Sequence, residues 1–290
     1  MRPDSIALLR CPECGVGSLA FAGSRANGDC LDGHLSCTAC QAVWPVQGGM
    51  PHLFKDDAVQ GPDRMMRFLY DAFHRWHDPA VDHLLPLMDG VASSELRDGY
   101  IRRLDLDSLR SAPGGPVRIL EVGVGAGANL ALLRRDTTGQ NVEIWGLDLS
   151  QGMLRESRRK VRKHAYSEVR LLMADAHALP FADNTFDRVF HVGGIGAFRD
   201  PPAALVEMAR VAKAETPIVV VDEQLDAART NTLYHRAMFR LLTWYDSDPR
   251  SPRADLPVGA MDIFEEQVSR FYYCLSFKMP ARDFARGAEQ

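Results

Sequence analysis

The sequence predicts an α/β fold, a mostly parallel sheet with helices on both faces, preceded by a small cysteine-rich module and a helical segment. Three observations carry this expectation. Apolar runs suited to buried strands, 117–122, 142–148, 169–174, 186–192 and 217–222, alternate with helix-like stretches at roughly 130–135, 151–164 and 201–213. Strands alternating with helices require right-handed crossovers, which cover both faces of a parallel sheet. Five of the six cysteines fall within the first 40 residues. Finally, the first apolar run leads directly into a glycine turn, Gly123-Val124-Gly125-Ala126-Gly127.

In chain order, Cys11-Pro12-Glu13-Cys14 and Cys37-Thr38-Ala39-Cys40 form two CxxC knuckles with 22 residues between them. Two such knuckles aim four thiolates at one tetrahedral centre, an arrangement zinc accepts without strain. A piece of about 50 residues buries little core, so a metal staple has a clear stabilising role. Four sulfur ligands leave no position for water, so the expected zinc is structural, held by Cys11, Cys14, Cys37 and Cys40. Cys30 and His34 offer a rival ligand pair; Cys30 also reads as a buried thiol. Residues 1–54 are taken as this module, ending in a polar linker, Lys55–Pro62. A linker and helical lid segment spans 55–116. Within it, 63–111 read as helical, with Met65, Met66, Phe68, Leu69, Phe73 and Trp76 on an apolar stripe and breaks near Pro79 and Pro86. Ala112-Pro113-Gly114-Gly115-Pro116 punctuates the chain before the third segment, 117–280, which closes with a hairpin between Met261 and Met279. Residues 281–290 read as a tail.

Glycines are needed after the first strand where a ligand must touch backbone. Gly123, Gly125 and Ala128 also satisfy a relaxed dinucleotide fingerprint, so the surroundings decide. The next strand ends Trp145-Gly146-Leu147-Asp148, about 20 residues on, where a carboxylate can accept both hydroxyls of a ribose. Ser150 follows as a helix N-cap before Met153. The third strand ends Met173-Ala174-Asp175-Ala176, where a carboxylate can bind an adenine amino group beside an apolar neighbour. No Lys-Ser/Thr pair follows the glycines to cradle phosphate. His191 ends the fourth strand at the crevice, as a base or acceptor-orienting group or else a packing histidine. Gly193, Gly194 and Gly196 leave space beside it. Further candidates are Tyr70, His74 and His77 on the lid, Asp222 and Glu223 at the fifth strand tip, and Tyr234, His235, Trp244 and Tyr245 beyond it. The basic run from Arg155 to His164 spreads around a helix and reads as a solvated face.

This ordered set resembles the class I S-adenosylmethionine-dependent methyltransferases, closest in style to the ubiquinone/menaquinone-biosynthesis type (type 11). The matching residues run from 117 to about 223, and Tyr272–Lys278 is similar to the family's last strand. The resemblance implies a Rossmann-like sheet of seven strands and S-adenosyl-L-methionine as cofactor. It implies that Glu121 orients the glycine loop or the methionine amino group, and that Gly123, Gly125 and Gly127 line the methionine part. Asp148 would hold the ribose, Asp175 and Ala176 the adenine, with Leu149 and Met153 also among the cofactor-binding residues. One departure is the family's Lys-Pro-Gly-Gly, here Ala212-Lys213-Ala214-Glu215-Thr216-Pro217, which implies an altered loop away from the ligand. Residues 6–54, from Leu8-Leu9-Arg10-Cys11 to Trp44-Pro45-Val46-Gln47-Gly48-Gly49-Met50-Pro51, resemble the zinc-binding module related to the activator subunit of tRNA and protein methyltransferases.

Composition narrows the function. The 290 residues hold 34 Lys plus Arg against 38 Asp plus Glu, a net charge of −4, which disfavours a nucleic-acid coating protein. No run of 18 apolar residues and no apolar leader core occurs, so a cytosolic protein with no membrane partner is expected. The expected activity is methyl transfer to a small apolar or aromatic metabolite admitted under the lid. In that reaction the protein mainly supplies in-line positioning, because the sulfonium is already a good leaving group. Two alternatives stay open: an RNA or protein methyltransferase docking through the zinc module, and a non-catalytic S-adenosylmethionine-binding partner protein. Bacterial ribosomal-RNA guanine methyltransferases pair CxxC with Cys-x3-His, which Cys30 and His34 imitate, but the second CxxC and the negative charge count against them. Acceptor identity and oligomeric state stay open.

Overall fold

The computed structural model describes residues 1–110 and 115–281. Ala112, Pro113 and Gly114 of the expected punctuation, positions 282–290 of the expected tail, and the His77 side chain lie outside the described residues.

The chain opens with a one-turn helix α1 (Pro3–Ile6) and an antiparallel meander of β1 (Leu19–Ala26), β2 (Asp29–Cys37), β3 (Val43–Gln47) and β4 (Met50–Leu53). Asn27-Gly28 closes the first hairpin with both residues at positive φ, as a two-residue turn between right-twisted strands requires. Helix α2 (Gly61–Pro79) runs through one π turn, Ala80–Leu84, into α3 (Leu85–Asp89), and α4 (Ser93–Arg102) follows. The break expected near Pro79 is therefore that π turn. A widened turn accommodates a residue that has no N–H to donate.

The regular part alternates β5 (Val117–Val122), α5 (Leu130–Asp136), β6 (Val142–Asp148), α6 (Gln151–Lys163), β7 (Val169–Ala174), β8 (Arg188–Val192), α7 (Pro201–Val211) and β9 (Ile218–Glu223). Then come α8 (Leu233–Leu242) and the antiparallel pair β10 (Met261–Gln267) and β11 (Tyr272–Lys278). Strands β5 to β9 pair in parallel, and β11 returns antiparallel to β9. Ser150 caps α6 by accepting the Met153 amide at 3.1 Å, and Asp200 caps α7. Among the described residues no helix is long and apolar enough to cross a membrane.

The strand count corrects the expectation of seven. Eleven strands form one order, β1-β2-β3-β4-β7-β6-β5-β8-β9-β11-β10. The join is β4 beside β7, where His52 pairs with Met173 and Leu53 with Ala174 in parallel. Without β4, the outer edge of β7 would leave its backbone groups unpaired. The join also supplies the core that the front module lacks. Leu9, Cys11, Trp44, Val46 and Leu53 are buried in the same apolar cluster as Trp145, Phe181 and Phe186. Phe181 meets Trp145 edge-on at 5.4 Å and Phe186 at 4.8 Å, and Leu9 bridges to it through backbone. Phe181→Ala should therefore destabilise the protein by about 3–5 kcal/mol, as for a large aromatic truncated in a packed core. Urea unfolding checks this, and a loss below about 1 kcal/mol would mean the seam is loosely packed.

Candidate active site

Right-handed crossovers put the carboxyl ends of β5 to β9 at one rim, and there a cavity of about 730 Å³ opens. Glu121, Gly123, Gly125, Asp148, Leu149, Met153, Asp175, Ala176 and His191 all line it. Gly127 does not. Its φ is +75°, and a Cβ there would lie 2.8 Å from both Leu130 Cδ1 and Ser157 Oγ, so its smallness serves the packing of α5 and α6.

Glu121 is buried, and its Oε1 accepts from Asn129 Nδ2 at 2.6 Å, while Asn129 Oδ1 accepts from Tyr100 at 2.6 Å. Its Oε2 has no hydrogen-bond partner among the described residues. Burial, only partly offset by the Asn129 bond, lifts its carboxyl to about 8. Asp148 pins the glycine turn: Oδ2 accepts the Gly125 amide at 2.9 Å and Oδ1 the Ser150 amide at 2.7 Å. A Cβ on Gly125 would come within 3.2 Å of Met153 Cε, and φ there is +51°. Asp175 is heavily engaged. Its Oδ1 accepts from the His177 amide at 2.9 Å and lies 2.7 Å from His177 Nδ1, and its Oδ2 accepts from Arg199 at 2.6 Å. Burial raises such a carboxyl, but these bonds from His177 and Arg199 prevail and hold it at about 2.

His191 is buried, with Nδ1 2.8 Å from the Val122 carbonyl and Nε2 without a partner among the described residues. The Nδ1–H must donate to that carbonyl, so Nε2 keeps its lone pair. Burial lowers the imidazole pKa, so the ring is neutral. Tyr70, Glu223, Trp244 and Tyr245 also line the cavity, whereas His74, Tyr234 and His235 do not. Asp222 lies behind the wall, accepting the Gly194 and Gly196 amides at 2.7 and 2.9 Å.

Sequence reasoning missed the residues that fasten α2 over the rim. Asp71 accepts from Ser150 Oγ and the Gly152 amide, both at 2.7 Å. Asp63 pairs with the Arg199 guanidinium, which also holds Asp175. That guanidinium already supplies the positive charge for the Asp63, Asp175 and His177 cluster. No local pattern marks these residues, because Asp63 and Arg199 are 136 positions apart. Asn129 and Tyr272 were likewise not singled out as site residues.

In the front module the sulfur atoms of Cys11, Cys14, Cys37 and Cys40 all lie within 4.8 Å of one another. Cys11–Cys40 and Cys14–Cys37 are each separated by 3.7 Å. A tetrahedron with 2.3 Å zinc–sulfur bonds has edges of about 3.8 Å, so the set fits the ion. Gly17 is part of the cradle, since a Cβ there would overlap Cys37 Sγ. Cys30 and His34 stand outside this group. The basic run lies on α6, where Arg158 turns inward to the Gly48 carbonyl and Arg155, Arg159, Arg162 and Lys163 are exposed.

Residues 119–215 match the family described as a methyltransferase domain. The match takes in about a third of the chain, from β5 through α7. Among the relatives, a demethylmenaquinone methyltransferase of Renibacterium salmoninarum is 36% identical over 121 residues, covering 42% of this chain and 46% of that protein. A phosphatidylethanolamine N-methyltransferase of Cereibacter sphaeroides is 36% identical over 113 residues, 39% of this chain and 52% of that one. The chain thus spans about half the length of these curated relatives. A Haemonchus contortus phosphoethanolamine N-methyltransferase 2, solved with S-adenosyl-L-methionine, superposes with a TM-score of 0.57 at 14% identity, covering 82% of this chain and 64% of that one. At that identity the likeness is one of fold.

The Glu121 environment sets a pH dependence. Unfolded, its carboxyl ionises near 4.5, and folded, it keeps its proton to about 8. The folded state therefore binds the extra proton between these values. Its contribution to stability is fully present below pH 4.5 and is lost as pH rises through 8. Thermal melts of the unliganded protein should fall across that window by an amount worth a few kcal/mol, and Glu121→Gln should flatten the fall. A slope unchanged by the substitution would contradict the assignment.

Proposed function

We propose that the chain is an S-adenosyl-L-methionine-dependent methyltransferase that acts on a small, largely apolar acceptor in the rim cavity. The observation that carries the reading is the buried, unpartnered Oε2 of Glu121 beside the glycine turn. A buried carboxylate oxygen left without a partner is costly, and an ammonium group is its natural complement. In this reading Glu121 holds the methionine ammonium, Gly123 and Gly125 admit the methionine chain, and Asp148 holds the ribose. Ala176, Leu149 and Met153 flank the adenine. Asp175 borders the adenine end while Arg199 and His177 hold it rigid. When bound, the sulfonium supplies an activated methyl group. The chain's own task is positioning and dryness: α2 roofs the cavity, and the neutral His191 offers Nε2 as an acceptor-orienting group.

The walls suit a small acceptor. Phe73, Trp76, Leu242 and Trp244 line the cavity, and a pocket of this volume between helix and sheet takes a metabolite more readily than a polymer. The relatives' names, for quinone and phospholipid acceptors, agree with an apolar body. A structural Zn²⁺ held by Cys11, Cys14, Cys37 and Cys40 completes the proposal.

Calorimetry with S-adenosylhomocysteine tests the cofactor site. Wild type should bind one equivalent. Asp148→Asn should weaken binding about 10- to 100-fold, the 1.5–3 kcal/mol typical of a hydrogen bond to a charged group. Absence of binding to wild type would overturn the reading. For the metal, elemental analysis should give one zinc per chain, and Cys40→Ser or a strong chelator should lower the melting temperature. A metal-free chain with an unchanged melting temperature would refute the assignment.

A further inference from the structure

Two strands along the sheet from Glu121, roughly 10 Å at ordinary strand spacing, the cavity changes character. Glu223 ends β9 and lines the cavity among phenols. Tyr245 donates to its Oε2 at 2.9 Å, and Tyr272, paired with it across β11, lies 3.4 Å from Oε1. Tyr70 on α2 lines the same space, its hydroxyl 4.0 Å from where a Gly194 Cβ would stand. Phe73, Trp76 and Trp244 complete an aromatic wall.

What this wall lacks is a cation. Among the described residues no Lys, Arg or His pairs with Glu223 or with Asp222 beside it. The two arginines on the cavity side of α2 and α4 are committed elsewhere, Arg67 to Asp56 at 2.8 Å and Arg97 to Asp82 at 2.9 Å. The other groups felt by this corner are acids and phenols, Asp222 on β9, Tyr70 on α2, Tyr245 after α8, and Tyr272 and Tyr273 on β11, together with the neutral His191 imidazole on β8, which faces Asp222. Asp246 sees Asp222 from the segment after α8.

We propose that the Glu223 corner binds the ammonium head of an amphiphilic amine, so that the methyl acceptor is a nitrogen carried on an apolar body. The proposal rests on the methyltransferase reading and deepens it by naming the acceptor class. Aromatic faces attract a desolvated cation through their quadrupoles, and a carboxylate among them supplies the opposite charge. A neutral acceptor would gain one hydrogen bond from this corner and leave its charge preference unused. An ammonium must also shed a proton before its nitrogen can react. Glu223 Oε takes that N–H proton. The freed nitrogen pair then forms the N–C bond as the methyl's bond to sulfur breaks with its electron pair passing to sulfur. Burial first, and then the charge on Asp222, keeps Glu223 protonated well above the ordinary carboxyl range when the corner holds no cation. Binding of a cation therefore expels that proton.

The test uses phenyltrimethylammonium and its neutral isostere tert-butylbenzene, titrated into the full chain saturated with S-adenosylhomocysteine. The cation should bind at least tenfold more tightly and release up to one proton, read from the buffer dependence of the enthalpy near neutral pH. Glu223→Gln should abolish both the preference and the proton release while S-adenosylhomocysteine affinity stays within twofold. Equal affinity for the two probes, no proton release, or a preference that survives Glu223→Gln would each overturn the proposal. The proton release is measured on wild type and needs no variant to fold. Binding of S-adenosylhomocysteine without cation preference would remove the amine assignment and leave the cofactor reading standing. Failure to bind S-adenosylhomocysteine would remove the cofactor reading itself.

Discussion

The arrangement of β5 to β9 in parallel governs the chemistry of this protein. Each right-handed crossover returns the chain to the same side, so every strand ends at one rim. At or next to each tip stands an ionisable residue: Glu121 on β5, Asp148 on β6, Asp175 after β7, His191 on β8 and Glu223 on β9. Four of the five are acids, and the histidine is neutral. Asp175 already has Arg199 as its cation, so the acids of this rim without one are Glu121 and Glu223, and the low-dielectric walls sharpen the cost of charging them. The acids are kept apart by different environments. Asp175 is held charged by its hydrogen bonds, whereas Glu121 and Glu223 are pushed toward the protonated form by burial. Asp148 anchors the backbone of the glycine turn.

The roof over the rim depends on two carboxylates of one helix. Asp63 and Asp71 are eight residues apart on α2, about 80° around the helix, so both reach the rim from one side. Asp71 takes the donors at the start of α6, and Asp63 takes Arg199 before α7. Phe73 and Trp76 on the same helix stay 60% and 72% exposed. Their apolar stripe therefore faces an open cavity and the solvent at its mouth. The helix is fixed by polar clasps, with its aromatic side left for a ligand to cover.

Much of the fold was legible because fully buried parallel strands read as unbroken apolar runs. The ranges 117–122, 142–148 and 169–174 coincide with β5, β6 and β7. The fourth run starts two residues late as a strand, since Asp187 turns aside to accept the Arg118 amide and the Lys213 ammonium. Strand β4 was illegible for a different reason. It has four residues, contains Pro51, and joins β7 through only two residue pairs. The rim residues on strand tips announced themselves by position after an apolar run. Asn129, Asp63, Asp71, Arg199 and Tyr272 did not, because their partners are brought close only by the completed fold. Gly127 stands in the same motif, and a Cβ there would meet Leu130 and Ser157, so its smallness serves packing.

The front module and the α/β part answer the same difficulty from two sides. A free-standing piece of this size buries little apolar surface, yet Leu9, Trp44 and Leu53 are fully or nearly fully buried. They achieve this by entering the cluster around Trp145 and Phe181. In return β4 closes an edge that β7 would otherwise present to solvent. Of the four cysteines, Cys11 and Cys37 are buried in that same cluster, whereas Cys40 is exposed. The segment that follows β4 leads into α2, the roof of the cavity. The module thus fixes where the segment that enters the roof begins.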